Sequence, residues 1–160
     1  MQTMEKLLER LKDPRPLIYD GGFGSELFAR GVQLTNSTLA NESHPEAVID
    51  VHCTFIEAGA EAIGTNTFVA SPLHLEMANK DASEADRIIR RAVEHARAAV
   101  EKNGKEVYIA GAIGPSPGAI EADSGDVDFG IANDIAREAH ARMVFALAEE
   151  GVDFFSIETM

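Results

Sequence analysis

Cysteine is almost missing from this sequence, tryptophan is missing altogether, and basic residues are far outnumbered by acidic ones. Each shortage closes a class of function. The lone Cys53 cannot form an internal disulfide, which sets aside the disulfide-stapled secreted scaffolds. A formal net charge of -13, from 27 acidic and 14 basic residues, repels a phosphate backbone, so nucleic acid is not an expected partner. No apolar run approaches the roughly 20 residues that a membrane span needs. The opening MQTMEKLLERLKDPRP is charged and amphipathic and lacks the apolar core and cleavage site of a secretory signal. Together these features predict a protein of the reducing cytoplasm with no membrane partner.

What is present suits a globular core: 160 residues with 45% hydrophobic content. Four short apolar runs stand out, PLIYD from Pro16, AIGTN from Ala62, VYIAGAI from Val107 and FFSIE from Phe154. They begin about 45 residues apart, a period of supersecondary size. Helical patterns fill the intervals. Val48, His52, Phe55 and Gly59 share a face after the first run, and Ile88, Ala92, Ala96 and Ala99 share one after the second. Arg87, Arg90, Arg91 and Arg97 mostly fall on the opposite, solvated side of that second helix. Ile135, Ala139, Met143 and Leu147 are the predicted stripe of the third. Gly59, Gly104 and Gly151 each follow a helix, where a left-handed closing residue is favoured. Strands apolar along their whole length and separated by helices predict a covered parallel sheet, an α/β fold. No linker-like stretch divides residues 1–160, so one domain without an internal boundary is expected.

The segments EAGAEAIGTNTF from Glu57 and EEGVDFFSIETM from Glu149 can be laid over each other, which pairs Gly59 with Gly151 and Asn66 with Glu158. Asn66 and Glu158 therefore occupy equivalent strand tips, with Asp20 and Gly114 ending the first and third strands. In parallel α/β folds those tips share one face, where ligands bind. The least regular stretches, Gln33 to Glu42 and Gly114 to Gly130, read as loops, the latter a long one on that face.

DGGFGSEL, Asp20 to Leu27, follows a strand with glycines that let a ligand approach the backbone and a helix start that can receive an anion. It equally suits a tight turn capped by Asp20, and it lacks the Lys and Ser/Thr ending of a phosphate loop. Asp20 and Glu158 at neighbouring tips repel unless a cation lies between them, a need that a ligand ammonium group meets; an ordinary surface Glu is the alternative. Asn66 either orients a polar ligand or caps the next turn. Cys53, in mid-helix, reads as a buried small side chain. The five histidines show no metal-ligand spacing, and only His74 falls near the tip face.

LIYDGGFGSEL, HPEAVIDVH, FIEAGAEAIGTNTF, AGAIGPSPG and EEGVDFFSIETM, in this order and spacing, resemble the homocysteine-binding, zinc-dependent S-methyltransferase family. That family includes betaine-homocysteine and S-methylmethionine-homocysteine methyltransferases and the first module of cobalamin-dependent methionine synthase. The resemblance spans Pro16 to Met160. It implies a (β/α)8 barrel, a TIM barrel, of which residues 1–160 cover about the first half with four strands. It also implies transfer of a methyl group from a donor to the thiolate of homocysteine, giving methionine. Asp20 and Glu158 would receive the α-ammonium group, the Gly21 and Gly22 backbone would lie along the amino acid with Phe23 packing on it, and Asn66 and Thr67 would line the floor near the sulfur. Zinc is expected from the family, but its cysteine ligands have no counterpart here, and Cys53 matches no ligand position. The chain alone would then be a poor enzyme that supplies the amino-acid clamp. No aromatic in LTNSTLANES suggests a cage for an onium methyl donor, so the donor is unassigned. A half barrel leaves open strand edges, which predicts either self-association or a missing C-terminal half. Two other functions stay open on the residues: a non-catalytic amino-acid-binding or assembly module, and a phosphate-binding barrel enzyme.

Overall fold

Three of the four apolar runs become strands of one parallel sheet in the computed structural model, which describes residues 2–125 and 130–160. In chain order the elements are α1 (Gln2–Arg10), α2 (Phe23–Ala29), a 3-10 turn (Ser37–Leu39), α3 (Ala40–Ser43), α4 (Pro45–Ala58), β1 (Ala62–Gly64) and α5 (Pro72–Met77). A second 3-10 turn (Ala82–Glu84), α6 (Ala85–Asn103), β2 (Tyr108–Ile113), α7 (Glu121–Ser124), α8 (Asn133–Glu149) and β3 (Phe154–Ile157) follow. The sheet order is β1-β2-β3, with Gly64 beside Ala110 and Ala112 beside Ser156. This is the α/β parallel architecture expected from the sequence.

The first run does not complete a strand. It contributes one parallel bridge, Tyr19 to Ala62. Pro16 has no N–H to give, and the Ile18 amide is spent on the Glu61 carboxylate at 3.2 Å. Ile18 O still accepts from Glu61 N at 2.8 Å and Ala62 N at 3.1 Å, so the segment lies along β1. Arg10 of α1 pairs with the same Glu61 at 2.7 Å.

Helix ends follow the punctuation in the sequence. Pro45 opens α4, and Gly59 closes it at φ 108°, a conformation that costs glycine nothing. Asp81 and Glu84 form a reciprocal capping box just ahead of α6. Ile63 and Ile109, on the helix-facing side of the sheet, pack with Cys53 and Ile56 of α4 and Ala96 and Ala99 of α6. Ile113 packs with Ile89 and Val93 of α6 and Met143 and Leu147 of α8. The arginines of α6 point outward into pairs such as Arg87 with Glu42 and Glu84.

The stripe of α8 needs one correction. Ile135 is 49% exposed, and Ala136 takes its place in the core with Ala139, Met143 and Leu147. Successive four-residue steps overshoot the 3.6-residue turn, so twelve residues back from Leu147 the side chain has rotated about 120° off the stripe, whereas eleven residues back it is only about 20° off. The loops also differ from expectation: Ser37–Leu39 and Ala40–Ser43 are helical inside Gln33 to Glu42, and α7 lies inside Gly114 to Gly130, of which residues 126–129 lie outside the described residues. Among the described residues no helix is long and apolar enough to cross a membrane.

Candidate functional site

Alternation along the strands puts Gly64, Ala112 and Ser156 on the sheet face away from the packed helices. Together with the segment Tyr19 to Gly24 they bound a cleft of about 710 Å³. Asp20, Gly21, Gly22, Phe23, Asn66 and Glu158 all line it. Asp20 and Glu158, expected together from the sequence, thus face one space, Asp20 from the segment bridged to β1 and Glu158 from the end of β3.

Asp20 is anchored by the amide of Gly64, which donates to Oδ2 at 2.8 Å. Burial pushes its carboxyl up from 3.8 to about 7; the Gly64 amide opposes the shift and the charge of Glu158 adds to it. Glu158 is fixed through its own amide, which donates to Ile113 O at 3.0 Å. Its Oε1 accepts from the Ser156 hydroxyl at 2.8 Å. Gly21 lies so close to Phe55 that a Cβ would stand 3.1 Å from the ring. Phe23 opens α2 and meets the His52 ring at 4.8 Å between centroids, tilted by 56°. His52 is fully buried, and neither ring nitrogen has a hydrogen-bond partner among the described residues. Burial, with a smaller contribution from His95, holds its pKa down at about 3, so it is neutral.

Asn66 is only 3% exposed. Its Nδ2 donates to Ser37 O at 2.9 Å and to Asn41 Oδ1 at 3.2 Å, while its main-chain carbonyl accepts from Asn41 Nδ2 at 2.8 Å. His95 in turn contacts Asn41 O at 2.7 Å. Thr67 does not line the cleft. Its hydroxyl donates to Ala112 O at 2.6 Å and meets Thr65 Oγ1 at 2.7 Å, and the Ala112 amide donates to Thr65 Oγ1 at 3.2 Å. These bonds close a ring that ties the ends of β1 and β2 together beneath the surface.

Sequence reasoning missed Tyr19, Gly64, Thr65 and Ser156 in the lining. The overlay that matched Asn66 with Glu158 also matches Gly64 with Ser156, two residues earlier and so on the same strand face; that signal was available. Tyr19 carried none, because an aromatic in a strand most often reads as core. His74 is displaced from the Asp20–Glu158 cleft. It lines a neighbouring groove of about 700 Å³ along Leu27, Phe28 and Met77, with Ser71 Oγ at 2.7 Å from its Nδ1. Among the described residues no group of three or more His, Cys, Asp or Glu side chains could hold a metal ion. Cys53 is 4% exposed, in the core with Ile56 and Ile63.

Residues 17–160 match the family described as homocysteine S-methyltransferase. The chain is similar to the homocysteine S-methyltransferase of Escherichia coli (strain K12), 30% identical over 90% of this chain and 50% of that one. It is similar to homocysteine S-methyltransferase 2 of Zea mays, 30% identical over 90% of this chain and 48% of that one. In three dimensions it resembles the crystal structure of the metallated homocysteine methyltransferase MmuM from Escherichia coli, with a TM-score of 0.76 and 27% identity, covering 96% of this chain and 57% of that one. The chain spans about half the length of the curated relatives it matches.

Proposed function

Because the chain belongs to the homocysteine S-methyltransferase family, we propose that its cleft holds homocysteine by the α-ammonium group, in a protein that transfers a methyl group to the homocysteine sulfur and releases methionine. The observation that carries this reading is the pair of carboxylates, Asp20 and Glu158, facing one cleft. Two like charges in a partly buried site raise each other's cost of ionisation, and a cationic group between them relieves it. The Gly21–Gly22 backbone lies alongside for the amino acid, Phe23 packs over it, and Asn66 borders the floor toward the sulfur. Thr67 acts from below, holding Thr65 and Ala112 in place.

These residues bind, orient and neutralise. As the ammonium enters, Asp20 gives up its proton and both carboxylates become charge-assisted acceptors. Methyl transfer to sulfur requires the thiolate, whose free pKa is about 8.5, and zinc supplies it where cysteine ligands hold the metal. The described residues do not fit such a site, since Cys53 is sealed in the core and no ligand group accompanies it. The reading is therefore one of an amino-acid clamp, with zinc ligands outside the described residues.

The same reading makes residues 1–160 about the first half of a (β/α)8 barrel. Its supports are the parallel order β1-β2-β3, the Tyr19 segment beside β1, and the overlap with 57% of the metallated MmuM chain. Among the described residues no strand pairs with β3 on the side away from β2, and Phe155 is 39% and Ile157 66% exposed. Further strands, from a C-terminal half or a second copy, would cover that edge.

Calorimetric titration tests the clamp. L-Homocysteine binds, a sugar phosphate does not, and Glu158→Gln weakens the binding. Uptake of the phosphate alone would instead establish the anion-binding reading of Asp20 to Leu27.

A further inference from the structure

Tyr19, immediately before Asp20, borders the cleft with a hydroxyl whose lone pairs no donor among the described residues engages. Its ring stands 6.5 Å from that of Phe154, tilted by 55°, and lies over Gly64, where a Cβ would come within 2.6 Å of the phenolic oxygen. Tyr19 Oη is buried and has no hydrogen-bond partner among the described residues. A buried hydroxyl left without a partner costs about 1–3 kcal/mol. Phenylalanine would fill the same space without that cost, and Ser156 can at most take the hydrogen of the phenol, which leaves its lone pairs without a donor among the described residues.

The neighbouring acceptors say which donor fits. Gly64 N–H engages Asp20 Oδ2, and Ser156 Oγ engages Glu158 Oε1. Neither bond uses the second oxygen of its carboxylate. Tyr19 senses the charge of both Asp20 and Glu158, and all three residues line the same cleft. A primary ammonium group has three N–H donors and no acceptor. Two carboxylates satisfy two of the donors. We propose that Tyr19 Oη accepts the third N–H of the ligand's α-ammonium group, which makes Tyr19 a specificity-determining residue favouring primary over N-alkylated amino acids. This inference rests on reading the cleft as an amino-acid clamp. Burial holds the phenol neutral, pushed up to about 12 against the smaller opposing effect of Ser156. Its own hydrogen can therefore turn toward the Ser156 oxygen while the lone pairs face the ligand.

The test is an NMR-monitored titration of the full chain, carried to millimolar ligand, with L-homocysteine and N-methyl-L-homocysteine. Three proteins are compared: the unsubstituted chain, Tyr19→Phe and Glu158→Gln. Tyr19→Phe is expected to weaken L-homocysteine binding about five- to tenfold and to leave the N-methyl ligand, which has only two N–H donors, within about twofold. Its melting temperature should stay the same or rise, since the substitution removes only an unpartnered hydroxyl; a structural role would lower it. Equal weakening of both ligands, or none of either, overturns the role of Tyr19. Absence of L-homocysteine binding to the unsubstituted chain, or indifference to Glu158→Gln, overturns the clamp itself, and the two failures are distinguishable.

Discussion

The tips of β1 and β3 correspond in the sequence overlay and are opposite in use. At the β1 tip, Asn66 and Thr67 are buried; Asn66 Nδ2 is spent on Ser37 and Asn41, and the Thr67 hydroxyl on Thr65 and Ala112. At the β3 tip, Ser156 and Glu158 are half-buried, bonded to each other, and border the cleft. A polar residue that closes its hydrogen bonds within the chain holds architecture together. One that keeps an oxygen directed at open space is available for a ligand. The same strand position therefore serves stability in one repeat and recognition in the other.

The largest effect should come from the β1 side. Asn66→Ala leaves Ser37 O and Asn41 Oδ1 without their donor, and should cost about 3 kcal/mol of stability in a urea titration. A loss below about 0.5 kcal/mol would erase the contrast between the tips. Next comes Glu158→Gln, which should raise the Kd for L-homocysteine by roughly thirtyfold, about 2 kcal/mol, while the urea midpoint hardly moves. Substantial unfolding of this variant would mean that Glu158 is architectural too.

A smaller effect, of pH, comes from Asp20, which faces Glu158 of the β3 tip across the cleft. The folded-state pKa of Asp20, about 7, lies above its ordinary 3.8. Between those values the folded chain keeps a proton that the unfolded chain has released. Stability therefore falls as pH rises from about 4 to about 7 and is flat above. Asp20→Asn should flatten this slope and stabilise the chain at pH 8 by about 1–2 kcal/mol, after allowance for solvent in the open cleft. Affinity for the ammonium ligand runs the other way, improving as pH rises through 7, and a pH-independent Kd would show that Asp20 is ionised throughout. Smallest of all, Cys53→Ala trims a buried side chain remote from both tips. It should cost about 1 kcal/mol or less and leave L-homocysteine affinity unchanged.

Much of the fold that carries this contrast is legible in the sequence. The apolar runs located β1, β2 and β3, and the glycines marked the helix ends, since Gly59, Gly104 and Gly151 all adopt positive φ. The overlay of Glu57 to Phe68 on Glu149 to Met160 found the two tips. What it could not separate was their use, because Asn66 is committed by Ser37 and Asn41, partners 29 and 25 residues away in sequence. The family resemblance puts Thr67 on the floor, and no local pattern shows that its acceptor, Ala112, lies across the sheet. The PLIYD run read as a full strand because its composition is that of one. Its pairing is cut short by Pro16 and by an amide diverted to a side chain. Ile135 fell off its stripe through rotational drift that a four-residue template ignores.

The contact between Gly64 and Tyr19 also bears on how this protein can diverge. A side chain at position 64 and a hydroxyl at position 19 crowd each other, so position 64 is held to glycine for as long as the hydroxyl at 19 stays where it is. A descendant that acquires alanine at 64 must first give up the phenol, passing through a smaller residue at 19. Alanine at 64 should thus be found together with a residue other than tyrosine at 19.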